Sequence, residues 1–432
     1  MLSTIILILT RHSGLSDHKM RTCKRCLYPE NHALGIIFDS DGVCSGCSIH
    51  DEKDIIDWAV KEEELKILLH HYKSKRNKYY DCLIPVCGNS DSFFVVDQIK
   101  NKFGLNPLLV TYNSHFSTKI GVRNLARLVT KLDCDHIMLT VSPDIVKKVT
   151  KIAMHKIGDI YWHYLAGSQT FPVQVATKFQ IPLIVWGVNG WLDQVGMFSH
   201  NDNVEMTKKV RKEHGLRGLD AFELLSDSNE LGSKDIQPFT YPSDQQLEKS
   251  RVRGIYLGNY VRWDAKKQSE DMISKYGYET LLQERTFNSY ESIFCWNNAG
   301  LHDYIKYKKF GYGKVVDHAA RDVRLGHISQ DEAAAFINKY DHIIPVKSLE
   351  LFLEWIGLTD NEFWHILSSY LSHNKDQKFG LMDLDLDFNQ IKALESSPYI
   401  NTAILESEDN NSGYILMGRT YMDESNYKAV EG

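Results

Sequence analysis

Between residues 82 and 187 the chain alternates short apolar runs with longer amphipathic ones. The runs at 82–86, 107–111, 136–141 and 181–187 predict strands, since each is too short for a helix and ends in turn residues. The stretches 92–103, 121–131 and 143–155 space their apolar residues three and four apart and predict helices. Strands alternating with helices of this length predict an α/β fold, a doubly wound parallel sheet that binds ligands at the carboxyl ends of its strands. Those ends offer Cys87 to Ser92, Tyr112 and Asn113, and Gly187 to Asn189.

Outside that block the pattern changes. Upstream, 51–72 is polar and helical, with Ile55, Ile56, Trp58, Ala59, Leu65, Leu68 and Leu69 as a core-facing stripe. Downstream, 201–215 is charged and helical, 285–299 is aromatic and polar, and 301–324 is dense in functional side chains within a mainly helical C-terminal region. His302, Lys306 and Lys309 share one helical face, as do Asp317 and Arg321, so the bland expectation is a solvated helix pair stitched by ion pairs. Gly311-Tyr312-Gly313-Lys314 argues instead for a ligand approaching backbone. The expected divisions are an extension at 1–19 with translation starting at Met20, a cysteine module with its linking helix at 20–60, a nucleotide-type sheet domain at 61–215, a substrate or partner region at 216–375, and an unassigned segment at 376–432, acidic around Met382-Asp383-Leu384-Asp385.

The turn Cys87-Gly88-Asn89-Ser90-Asp91-Ser92 enters from a strand and leaves as a helix. That geometry aims backbone N–H groups and a helix N-terminus at a phosphate. Asn89, Ser90 and Asp91 are also ordinary N-cap types, so a well-capped turn is the competing expectation. His163, between Trp162 and Tyr164, is either a base or a packed member of an aromatic layer. Asn189 and Asp193 stand just beyond a strand's carboxyl end.

Charge is mixed, with a net of −6, which disfavours nucleic acid as a partner. The apolar run at 5–9 is too short to span a bilayer, so no membrane partner is expected and the protein reads as cytoplasmic. Of the eight cysteines, four fall as Cys23-x2-Cys26 and Cys44-x2-Cys47 with seventeen residues between the pairs. Two such knuckles hold one zinc through four thiolates, leaving no open position, so the metal is expected to be structural; two disulfides are the alternative. Of the rest, only Cys87 raises a functional question.

Arg21-Thr22-Cys23-Lys24-Arg25-Cys26-Leu27-Tyr28-Pro29 and Gly42-Val43-Cys44-Ser45-Gly46-Cys47 resemble the opening of the N-acetyl sugar amidotransferases of surface-polysaccharide (LPS O-antigen) biosynthesis, a family of PP-loop ATP pyrophosphatases. The resemblance continues through Tyr161-Trp162-His163, Phe171-Pro172-Val173-Gln174, Gly196-Met197-Phe198-Ser199, Val204-Glu205-Met206-Thr207, Arg253 to Asn259 and Gly300 to Arg324, covering 20 to about 345. It implies a PP-loop, adenine nucleotide α-hydrolase-like fold and an enzyme that adenylates the acetamido group of a nucleotide-linked sugar. Ammonia then displaces AMP to leave an acetamidino group. It implies a separate glutaminase subunit as ammonia source, with a partner resembling the cyclase subunit of imidazole glycerol phosphate synthase, and a nucleotide-linked diacetamido uronic acid or similar sugar as acceptor.

On this resemblance ATP rests on Cys87, Gly88, Asn89, Ser90, Asp91, Ser92, Tyr112, Asn113 and Gly187. Magnesium bridges its phosphates beside Asp91, with His163, Asn189 and Asp193 as further catalytic candidates. His302, Lys306, Lys309, Lys314, His318 and Arg321 are the cations for the anionic part of the sugar. The loop departs from the family pattern Ser-Gly-Gly-x-Asp-Ser at Cys87 and Asn89, and carries Ser90 where Lys is common. After Trp186-Gly187, where the family often has Glu, Val188-Asn189 stands, which shifts that role to Asp193 or leaves it vacant. Two other readings follow from these departures and from the cysteine knuckles: a catalytically eroded scaffold of the glutaminase complex, and a tRNA-modifying PP-loop enzyme.

Overall fold

The computed structural model describes residues 21–32, 35–73, 79–225 and 230–371; the expected extension at 1–19 and the segment 376–432 lie outside them. Five strands form one sheet: β1 (Cys82–Pro85), β2 (Pro107–Tyr112), β3 (His136–Leu139), β4 (Leu183–Trp186) and β5 (Arg253–Tyr256). Their order is β3-β2-β1-β4-β5 and every pairing is parallel. The chain therefore builds outward from β1 to β3, then crosses back to lay β4 on the other side of β1. The gap between the loops after β1 and β4 is the switch point where such sheets bind ligands.

The helices used below are α1 (Ser45–Ile55), α2 (Trp58–Tyr72), α3 (Ser90–Val96), α4 (Lys119–Lys131), α5 (Pro143–Ile157), α6 (Trp162–Phe179), α7 (Ala265–Tyr276), α8 (Leu301–Phe310), α9 (Lys314–Arg324), α10 (Gln330–Tyr340), α11 (Val346–Ile356) and α12 (Asp360–Leu367). The strand pleat sends alternate residues to opposite faces. Cys82, Ile84, Leu109 and Val185 pack with Leu65, Phe93, Leu125, Leu128 and Met272 from α2, α3, α4 and α7. Leu83, Leu108, Val110 and Ile184 pack with Val173 and Ala176 of α6. Both faces are covered, which is the doubly wound arrangement expected.

Three elements differ from the sequence pattern. The single helix expected at 51–72 is two helices, broken at Ile56 and restarted by Asp57, whose side chain accepts from the N–H groups of Ala59 and Val60. Only Leu65 and Leu69 of the expected stripe are buried, and Ile55 is 84% exposed. The helix after the turn begins at Ser90 and widens into a π-helical stretch, Asp97–Lys102. The fifth strand and the long α6, which carries Pro172 in its interior, were not marked by the apolar pattern.

The C-terminal region is helical, as expected. Helices α8, α11 and α12 share a core of Leu301, Tyr304, Leu349, Phe352, Phe363 and Trp364, which also takes in Phe116 from beyond β2. Tyr28 and Ile36 of the cysteine module pack on Val315, Val316 and Ala320 of α9 and on Val195 beyond β4. No helix among the described residues is long and apolar enough to cross a membrane.

Candidate functional site

The turn after β1 is fastened by its own side chains. Ser92 Oγ accepts from the N–H of Cys87 at 3.0 Å, Asp91 Oδ1 accepts from the N–H of Ser92 at 2.8 Å, and Ser90 Oγ meets Ser269 Oγ of α7 at 2.7 Å. Gly88 lies flat on α4: a Cβ there would fall 2.2 Å from the carbonyl oxygen of Gly121. Gly121 in turn leaves no room for a Cβ, which would stand 2.4 Å from Cα of Phe294. Three backbone segments thus stack at Gly88, Gly121 and Phe294. The last is held by N–H donation from Thr118 to Phe294 O and from Trp296 to Phe116 O.

This stack closes one end of a cleft above the carboxyl ends of β1, β2 and β3. Cys87, Gly88, Tyr112 and Asn113, all chosen from the sequence, line it together with Thr111, Ser114, Ser117, Val122, Leu125, Met138 and Phe294. A lining that mixes backbone and hydroxyl groups with aliphatic side chains suits a flat heterocycle joined to a polar tail. Asn89 adds a buried side-chain oxygen without a hydrogen-bond partner. Gly187 is not in the lining; its carbonyl accepts from Gly258 N–H.

Asp91 reaches solvent, but the protein crowding around it raises its pKa to about 6; the Ser92 N–H opposes that rise and the Glu291 carboxylate adds to it. Burial, with Asp91 alongside, pushes the Cys87 thiol up to about 12, so it is a neutral thiol at physiological pH and not a nucleophile. His163 is fully buried, lies behind Tyr112 (Oη to Nδ1 3.4 Å) among Phe116 and Tyr161, and is held neutral by a pKa lowered to about 3 through burial and its neighbour His115. It belongs to the aromatic layer. Asn189 caps the helical turn Gly190–Asp193 by accepting from Trp191 N–H. Asp193 points away from the cleft, into the cysteine module: it accepts from Lys53 Nζ at 2.5 Å, and His50 Nε2 lies 3.2 Å from its carbonyl. Burial opposes its ionisation, yet Lys53 holds its pKa below the ordinary carboxylate range.

The cations expected to hold substrate do not pair along their own helices. Arg321 grips both oxygens of Glu291, a residue the sequence did not single out, while His318 Nδ1 meets Thr286 Oγ1 at 2.8 Å and its Nε2 lies 3.7 Å from Glu291. Lys306 pairs with Asp317, which also accepts from Tyr28 Oη at 2.6 Å, and its ammonium sits 4.4 Å above the Tyr312 ring. Lys314 Nζ donates to Asn298 O at 3.2 Å, and burial lowers its pKa. His302 faces Asp159 at 3.7 Å, and Lys309 donates to Ile157 O at 3.1 Å. The Glu291 carboxylate is close enough to the turn to raise the Asp91 pKa, and Arg321 is close enough to Asp193 to lower its pKa. His302 and Lys309 form a separate group with α5.

Cys23, Cys26, Cys44 and Cys47 are buried, and their sulfurs all lie within 4.8 Å of one another. Measured separations of 3.6 to 3.8 Å between them match the edge of about 3.8 Å expected for a tetrahedron with metal–sulfur bonds of about 2.3 Å. None of the eight cysteines is in a disulfide. The donor set fits a structural metal. The module is seated by Ser45 Oγ donating to Val195 O at 2.6 Å, by Gly196, whose Cβ would strike the Ser45 carbonyl, and by Asn31 Nδ2 donating to Phe310 O at 2.5 Å.

Residues 284–387 match the C-terminal domain of WbpG-like LPS biosynthesis proteins. Over 117 residues, 27% of this chain, the sequence is 23% identical to an uncharacterized protein of Methanocaldococcus jannaschii, and it spans only 42% of that relative. Among solved structures, the chain is similar to an NH3-dependent NAD synthetase from Campylobacter jejuni at TM-score 0.27 and 11% identity, covering 53% of this chain and all of that one. An NMN synthetase from Francisella tularensis aligns at TM-score 0.25 and 10% identity, over 74% of this chain and 99% of that one.

Proposed function

We propose that the protein is an ATP-dependent amidotransferase of LPS biosynthesis, converting an acetamido group of a nucleotide-linked sugar, such as a diacetamido uronic acid, to an acetamidino group. The observation that supports it is a shared wall: Phe294, within the WbpG-like stretch, lines the same cleft as the Cys87–Gly88 turn. A loop of phosphate-binding shape and a sugar-pathway domain therefore face one space.

In this reading the adenosine lies against Val122, Leu125 and Met138, and the phosphates against the N–H groups at the start of α3, where the helix dipole favours negative charge. Asp91 is the residue that would hold magnesium, which supplies charge neutralisation between the phosphates. An amide oxygen is a poor leaving group; its attack on the α-phosphate of ATP breaks the α–β bond and releases pyrophosphate, and the adenylated oxygen then leaves as AMP when ammonia attacks the carbon. Arg321 supplies the positive charge that the loop lacks at Ser90, exchanging part of its grip on Glu291 for the arriving anion. Lys306 is positioned by Asp317 and Tyr28 for the anionic end of the sugar. Ammonia comes from a partner glutaminase associated with a cyclase-like subunit, and the four cysteines hold zinc.

The test is direct. Purified protein is incubated with ATP, magnesium, concentrated ammonium and a panel of nucleotide-linked diacetamido sugars, and products are read by mass spectrometry for exchange of oxygen for NH, with AMP measured in parallel. Amidine and AMP in equal amounts are expected. If no sugar yields AMP, the enzymatic reading fails in favour of a scaffold for the glutaminase complex.

A further inference from the structure

Arg324, the last residue of α9, is 6% exposed, and among the described residues no carboxylate partners it. One guanidinium nitrogen donates to Gln194 O at 2.7 Å, another lies 3.4 Å from Cys44 Sγ, and the group stands 5.1 Å over the Tyr28 ring. It fits against the module only because residue 46 is glycine: a Cβ there would lie 2.5 Å from the guanidinium. A buried charge without a counter-charge is strongly unfavourable, so a compensating anion belongs beside it. Four neutral thiols do not provide one. Four thiolates around a divalent metal carry a net double negative charge and do.

The position gives this pairing a reach beyond the cysteines. Arg324 lies one turn from Arg321, which clamps Glu291, and two turns from Asp317, which clamps Lys306. Gln194, whose carbonyl Arg324 holds, itself donates to Tyr28 Oη at 2.9 Å and to Asp317 O at 3.2 Å. We propose that Arg324 is the counter-ion and hydrogen-bond donor of the metal–thiolate centre, and through that contact the positioning residue that fixes α9, with Asp317 and Arg321, at the cleft. It rests on the metal reading of the four cysteines and is independent of the amidotransferase chemistry. Metal occupancy then sets the geometry of the proposed substrate cations although the metal touches no substrate.

The full chain is prepared with zinc and, separately, with cobalt(II). Arg324→Met is expected to speed zinc loss to a competing chelator by about 10–100-fold, the range for removing a partner that supports metal ligands, and to shift the sulfur-to-cobalt charge-transfer band. Arg324→Lys, which keeps the charge without the fork, falls between. Gly46→Ala keeps every charge but displaces the guanidinium, and is expected to reproduce the band shift, so the proposal stays testable if Arg324→Met does not fold. Stripping zinc from the wild type should raise amide exchange across 314–324, and Arg324→Met should show that raised exchange while still loaded. Zinc loss unchanged within about twofold, an unshifted cobalt band, or unchanged exchange in α9 on stripping overturns the proposal. A chain that takes up neither metal overturns it together with the metal reading, whereas uptake without sugar turnover removes only the amidotransferase reading.

Discussion

The turn after β1 and the seam between the cysteine module and α9 use polar groups in opposite ways. In the turn, small side chains fasten the loop locally, the Asn89 oxygen is left unpaired and the Asp91 side chain reaches solvent. In the seam, charges are spent inside the protein: Lys53 on Asp193 and Arg324 on the module. One region is held by close backbone contact and keeps its electrostatics for a ligand. The other is held by electrostatics and keeps little in reserve. A binding surface and its support thus differ less in residue type than in whether each charge already has a partner.

Breaking the seam should cost most. Lys53→Met strands Asp193 as a lone buried charge, and a loss of about 3–5 kcal/mol is expected in urea unfolding. Adding Asp193→Leu should recover most of it; a double variant no better than the single one would mean that packing by the lysine stem, not charge, holds the seam. Gly88→Ala attacks the turn through shape, with a Cβ 2.2 Å from Gly121 O. An overpacking cost of about 1–3 kcal/mol is expected, with AMP formation lost. Unchanged unfolding and unchanged AMP output would show that the stack yields freely.

Asp91→Asn separates the two regions by sign. The carboxyl titrates near 6 in the fold against an ordinary 3.8, so between those values the native state holds the extra proton and stability falls as pH rises. Removing the charge should therefore raise the melting temperature at pH 7, leave it unchanged near pH 4, and abolish AMP formation. A fall in melting temperature at pH 7 would show that the ionised carboxylate supports the fold after all. Smallest is the exposed Arg253–Glu205 pair, bonded at 2.6 Å. Arg253→Ala should cost under about 1 kcal/mol, a baseline against which the seam is judged.

Much of the sheet was legible because β1, β2 and β4 are apolar runs closed by turn residues, a local signal. β5 was not: Arg253-Gly254-Ile255-Tyr256 carries one exposed charge and one glycine pressed on Met206, and reads as a strand only once β4 lies beside it. Pro172 hid α6, since proline argues against a helix interior until packing on β2 overrides it. In the site, the cysteines and the turn were legible because their spacing is their chemistry. Glu291 and Arg324 were not, because a buried charge is explained by its partner, and Gln194, which Arg324 holds, is 130 residues away. The same gap explains why Asp193 looked available: Lys53 lies 140 residues before it.

The stack of Gly88, Gly121 and Phe294 carries a consequence in time as well as space. Strands β1 to β4 emerge from the ribosome before residue 294, so the nascent sheet domain has its loop but not the segment that backs it. A complete cleft is then acquired late, as a property of the assembled chain. A stalled or prematurely ended product holds an unfinished one.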